Sequence, residues 1–148
     1  MPGVVHVVDD DASFRTAVER RLKKAGYEVV TYPSAQQLLD GLPDESRPSC
    51  ILLDVRIPGL SGPQLQVRLN ELGSTLPIVF LTGHADTPTT VQAIKAGAQD
   101  FLTKPVDVAA LVQAVRAALQ TAEARRQTIA ETAALAARLA TLTPRERQ

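Results

Sequence analysis

The stretch CILLDVRIP, Cys50–Pro58, decides how the rest of the chain is read. Cys50, Ile51, Leu52 and Leu53 all favour burial, and they run straight into Asp54. Pro58 and Gly59 follow as turn residues. An apolar run without alternation, closed by a turn, reads as a strand covered on both faces, the kind found in parallel sheets. Asp54 then stands at the carboxyl end of that strand. In open α/β sheets this is the edge where ligands and chemistry collect. A carboxylate there is costly unless it is solvated, paired or bound to a cation.

Outward from this strand the pattern repeats. Val4 to Val8 is a β-branched run, broken only by His6, and it ends at Asp9, Asp10 and Asp11. Phe14, Val18, Leu22 and Ala25 recur at helical spacing, with Gly26 as the C-terminal stop. Glu28–Tyr32 reads as a short strand, and Ser34 can cap a helix carrying Leu38, Leu39 and Leu42. Leu65, Leu69 and Leu72 line one helical face, closed by Gly73. Pro77–Leu81 is another buried strand, ending at Thr82 and Gly83. Val91, Ile94 and Ala98 suggest a helix from about Thr87 to Ala96. Phe101 and Leu102 form a short fifth strand before Thr103, Lys104 and Pro105. Five strands alternating with helices predict an α/β, doubly wound, five-stranded parallel sheet with helices on both faces.

From Ala109 to about Leu142 the composition turns to Ala, Arg, Glu, Gln and Leu, without glycine or proline. These are strong helix formers. Val108, Leu111, Val115, Ala118, Ala122, Ile129, Ala136 and Leu139 follow an approximate heptad, interrupted at Arg125 and Thr132. A helix of roughly 35 residues is about three times the average length. It is expected to project beyond the domain and pair with a second copy as a coiled coil; the alternative is a helix frayed past Gln120.

Bulk properties narrow the function classes. The 148 residues suffice for one domain with an appendage. Sixteen basic and 16 acidic residues give a formal net charge of zero, so the whole chain carries no electrostatic case for nucleic-acid or membrane binding. One cysteine excludes an internal disulfide and a multi-cysteine metal site, and fits a reducing compartment. The first residues, MPGVVHVVDDD, lack a positive region and a long apolar stretch, so they do not read as a signal peptide. No apolar run approaches the roughly 20 residues a membrane span needs, and the expected location is the cytoplasm.

Strand ends place Asp9, Asp10 and Asp54 on one sheet edge, together with Thr82 and Lys104. Three clustered carboxylates repel one another, and a hard dication with oxygen ligands is the natural remedy. Mg²⁺ (or Mn²⁺) fits: it takes one or two carboxylates, keeps several waters and shares phosphate oxygens. Lys104 adds a positive charge and Thr82 a hydroxyl. The set describes a pocket for a developing phosphoryl group with Asp54 as nucleophile. Each residue alone is more simply a loop carboxylate or a surface lysine. Asp11 is most simply a polar residue opening the first helix. His6 and His84 are not spaced as a metal pair and read as structural or surface groups, and no glycine-rich phosphate loop is present.

VVDDD at 7–11, LLDVRIPGLSG at 52–62, LTGHAD at 81–86 and AGAQDFLTKP at 96–105 resemble the receiver domain of two-component response regulators. The resemblance covers about residues 3–120. It implies a flavodoxin-like sheet of order 2-1-3-4-5, and phosphorylation of Asp54 by a sensor histidine kinase. It implies that Asp9 and Asp10 hold Mg²⁺ with Asp54 and the backbone carbonyl of Arg56, and that Thr82 and Lys104 contact the phosphoryl oxygens. It further implies a cis bond before Pro105, a switch role for Phe101 with Thr82, and a homodimer through the face of the fourth helix, fifth strand and fifth helix. Phe101 has an equally simple reading as a core residue. Without a tyrosine hydroxyl it has no polar reason to stay outside, so an inward bias is expected.

The wording VRIPGLSG, TGHAD and KAGAQDFLTKP is most similar to the FixJ/NarL-like group, which carries a LuxR-type helix-turn-helix. Residues 121–141 are then expected to be a helical linker, and 142–148, LTPRERQ, the opening of a DNA-binding domain whose recognition helix is absent. DNA would be read only by that missing part. Two other readings stand beside the phosphoacceptor switch. An aspartate-nucleophile phosphatase would need a second acid two residues after Asp54, where the chain has Arg56, which cannot act as a general acid. A stand-alone adaptor would act through its long helix alone.

Overall fold

The computed structural model describes residues 3–41, 47–55, 62–74, 76–83 and 97–146. Five strands form one sheet: β1 (Val4–Val8), β2 (Glu28–Tyr32), β3 (Ser49–Asp54), β4 (Ile78–Thr82) and β5 (Asp100–Thr103). All pairings are parallel and the order is β2-β1-β3-β4-β5. The described helices are α1 (Ala12–Lys24), α2 (Ala35–Asp40), α3 (Gly62–Glu71) and α4 (Val108–Glu146). The helix expected from Thr87 to Ala96 lies outside the described residues, as do Leu42, Arg56 and His84.

Every residue of β1, β3 and β4 is buried, which is why these strands lack alternation. Odd and even positions feed two cores. Val5, Val7, Cys50, Leu52, Val79 and Leu81 pack with Val18 and Leu22 of α1 and with Leu111, Val115 and Ala118 of α4. Val8, Ile51, Leu53, Ile78 and Phe80 pack with Leu38 of α2 and with Leu65 and Leu69 of α3. Burying each such Val, Leu, Ile or Phe contributes about 1.5–3 kcal/mol. Cys50 behaves as a small hydrophobe, its thiol pushed up to about 12 by burial.

Helix ends follow local chemistry. The Asp11 carboxylate accepts from the Ser13 and Phe14 amides and opens α1; the Ser34 hydroxyl accepts from the Gln37 amide and opens α2. Gly26 takes φ +98°, a left-handed conformation that costs glycine little, and ends α1. Three apolar positions depart from their expected place. Ala25 is the exposed C-cap of α1, and Leu72 is 55% exposed because α3 stops at Glu71. Val108, at the first turn of α4, is 38% exposed. Periodicity marks a face but not where its partner surface ends.

α4 enters the core at Leu111 and leaves it after Ala122, and residues 127–138 are all exposed. Ile129, a heptad position, is 51% exposed, and Leu135 is 54% exposed. Near its exit α4 meets Gly3. A Cβ on Gly3 would lie 2.5 Å from the Pro48 carbonyl oxygen and 2.6 Å from Leu119 Cδ2. That carbonyl already accepts from the Val4 amide at 2.9 Å, so it has little room to retreat. Gly3→Ala is expected to lower stability by about 1–3 kcal/mol, measured by urea unfolding.

Candidate functional site

Strand order reverses between β1 and β3, which leave the sheet on opposite sides of a crevice at their carboxyl ends. Asp9 follows β1 and Asp54 ends β3, so both acids stand at that reversal. Asp9 is fully buried, Asp54 is 8% exposed, and Asp10 is exposed. Oxygens of the three carboxylates lie within 4.8 Å of one another.

Lys104 supplies positive charge at this edge. Lys104 Nζ donates to Asp9 Oδ2 at 2.8 Å and to Asp54 Oδ2 at 2.9 Å. Its backbone amide donates to the Thr82 carbonyl at 2.7 Å, and the peptide bond to Pro105 is cis. Burial pulls the Lys104 pKa down, but hydrogen bonds to Asp9 and Asp54 and their charges outweigh it, and the pKa ends raised. The ammonium therefore stays charged across the physiological range. Thr82, at the end of β4, is 7% exposed and one residue beyond Leu81, the register partner of Asp54.

Backbone contacts hold the buried acid. Asp9 Oδ1 accepts from the Asp11 amide at 2.9 Å, and the Asp9 amide donates to the Tyr32 carbonyl at 3.2 Å. Arg15 Nη1 donates to the Asp9 carbonyl at 2.6 Å. The Phe14 ring lies 4.2 Å from Lys104 Nζ. Neither Phe14 nor Arg15 stands out in the sequence as a site residue. The available signal is their position in the first turn of a helix that begins directly after three aspartates.

Phe101 is 37% exposed. Its register partner Phe80 is 1% exposed, but β5 is the edge strand of the sheet and has a neighbouring strand, β4, along one of its edges. His6 does not face the acids. It is buried, with Nδ1 3.0 Å from the Tyr32 hydroxyl. Burial lowers its pKa from 6.5 to about 4, against a smaller upward pull from Glu28.

The sequence profile described as "Response regulator receiver domain" matches residues 5–116. The chain belongs to this family. It is a receiver domain of the two-component response regulators, a phosphoacceptor class and not a class of conventional enzymes. It is 42% identical to the transcriptional regulatory protein FixJ of Bradyrhizobium diazoefficiens over 146 residues, covering 99% of this chain and 71% of that one. It is 44% identical to nodulation protein W of the same organism over 144 residues, 97% of this chain and 63% of that one. Among solved structures, the response regulator StyR superposes with a TM-score of 0.91 at 40% identity, covering all of this chain and 74% of StyR. A crystal structure of FixJ-N superposes with a TM-score of 0.75 at 33% identity over 81% of this receiver chain and 95% of that one. Among the described residues no helix is long and apolar enough to cross a membrane.

Proposed function

We propose that this receiver accepts a phosphoryl group on Asp54 from a sensor histidine kinase and catalyses that transfer itself. The observation that carries the reading is the Lys104 ammonium held between Asp9 and Asp54 at the carboxyl ends of β1 and β3. The acid cluster is a hard-oxygen donor set suited to Mg²⁺ or Mn²⁺, with Asp9, Asp10 and Asp54 as ligands. The Arg56 backbone carbonyl, the fourth ligand expected, lies outside the described residues. When bound, the metal supplies charge neutralisation for the transferring phosphoryl group.

The chain's own groups do the rest. An Asp54 carboxylate oxygen attacks phosphorus, and the donor's phosphorus–nitrogen or phosphorus–oxygen bond breaks, its electrons leaving with the donor. The buried Asp9 adds negative charge that keeps a cation at the site. Lys104 stays charged and turns its ammonium from the carboxylates to the phosphoryl oxygens, and the Thr82 hydroxyl donates to another. Phosphorylated Asp54 carries about two negative charges. Movement of Thr82 toward this group would leave space into which Phe101 rotates, and the group's differential contacts in the two states would bias a pre-existing equilibrium of the β5–α4 surface.

That surface, the exposed part of α4 over 127–138, or both would join a second copy. The output would be control of a DNA-binding domain following a linker at 121–141. Residues 142–148 would open that domain, beyond the receiver at 3–120. The chain spans roughly two thirds of its curated relatives, 71% and 63% of the first two, which leaves room for such a domain in them.

Incubation with Mg²⁺ and acetyl phosphate, followed by intact mass and peptide mapping, tests the reading. One phosphate per chain, mapped to Asp54 and lost in Asp54→Asn, is expected. Repeated turnover of the donor would favour a phosphatase, and no adduct would favour an adaptor.

A further inference from the structure

Helical spacing assigns Phe14 to the core side of α1, yet its ring does more than fill space. The N-cap at Asp11 makes Phe14 the third residue of the helix, so its side chain sweeps back over the first turn toward the acids. The ring is half-buried, packs on the core below, and lies 4.2 Å from Lys104 Nζ. The ammonium thus has three neighbours: Asp9 Oδ2, Asp54 Oδ2 and an aromatic face. A lysine stem has four flexible carbons, and nothing in it selects one direction. Phosphorylation changes the charge and shape of Asp54, but the attraction of the ring quadrupole for a cation is unaffected by that change.

We propose that Phe14 is a positioning residue, its ring face keeping the Lys104 ammonium at the pocket mouth whatever the state of Asp54. The proposal rests on the phosphoacceptor reading for its consequence and on geometry for its existence. Arg15, the next residue, grips the Asp9 carbonyl from the same turn. The first turn of α1 therefore fixes both ends of the Asp9–Lys104 contact.

The purified chain tests this in two ways, with Phe14→Leu, which keeps an apolar side chain, and Phe14→Tyr, which keeps the ring. The first measurement is the rate of adduct formation with Mg²⁺ and acetyl phosphate. Phe14→Leu is expected to be slower by about threefold to fivefold, and Phe14→Tyr to stay within about twofold of wild type. The second uses no metal and no donor. The rate at which an amine-directed acylating reagent modifies Lys104 at fixed pH is read by peptide mass, and it is expected to rise by about threefold in Phe14→Leu only. Phe14→Leu matching wild type in either measurement, or Phe14→Tyr changing as far as Phe14→Leu, would overturn the proposal. Should Phe14→Leu fail to fold, Phe14→Met carries the same comparison. Failure of the wild type to form an adduct on Asp54 would instead remove the phosphoacceptor reading, and the acylation measurement would still decide the role of the ring.

Discussion

Lys104→Met is expected to lose about 3 kcal/mol of stability at pH 7, and to accept phosphate at least about 100-fold more slowly. Methionine keeps most of the stem and removes the charge. The Asp9 carboxylate is fully buried and would then face Asp54 with no cation between them. Breaking a fully buried pair costs about 3–5 kcal/mol, and the lower end applies because the Lys104 side chain is 24% exposed. The sign with pH follows from the raised Lys104 pKa. Its contribution is complete below the ordinary lysine value and is lost as pH rises through the higher folded value. Wild type and variant should therefore converge at strongly alkaline pH. Millimolar Mg²⁺ should stabilise the variant more than the wild type, because no ammonium competes for the same oxygens. Urea unfolding against pH, with and without Mg²⁺, checks both. Equal stability of the two proteins at pH 7 without metal would remove Lys104 from the account of how the acids are tolerated.

The second large effect concerns acid. Lowering pH from 6.5 to 4 is expected to cost the wild type about 3 kcal/mol through His6 alone. Burial holds the folded pKa near 4, below its ordinary 6.5, so the unfolded chain binds the proton first as pH falls. Stability thus falls across that window and this contribution levels off below it. The ring has little relief, since Nδ1 meets the Tyr32 hydroxyl and Nε2 is buried with no hydrogen-bond partner among the described residues. His6→Val should flatten the slope between pH 6.5 and 4. Unfolding free energies of both proteins across this range decide it; parallel slopes would show that His6 is not the group responsible.

Legibility in the sequence followed the range of the interactions. Asp11 and Ser34 act on amides two or three residues away, and both caps could be read from residue type and position. The ends of β1, β3 and β4 were visible because the continuous apolar run stops abruptly at Asp9, Asp54 and Thr82. The exposure of Phe101 was not visible, because an edge strand and a central strand can carry the same apolar pair. The point where α4 leaves the core was also hidden. The heptad resumes at Ile129 after its interruption at Arg125, while the surface beneath it ends.

By itself the sequence determined the alternation of strands and helices, the acids at the strand ends and the family to which they point, since each depends on local periodicity and on the order of short motifs. Only the tertiary structure decided that one ammonium bridges Asp9 and Asp54, 95 and 50 residues away, with the Phe14 ring on a further side. The physical reason is that charge pairing and cation–ring contact act through space at a few ångströms, and the chain reaches those distances only after β2 has been set outside β1, so that β1 and β3 become neighbours with β4 and β5 beyond them.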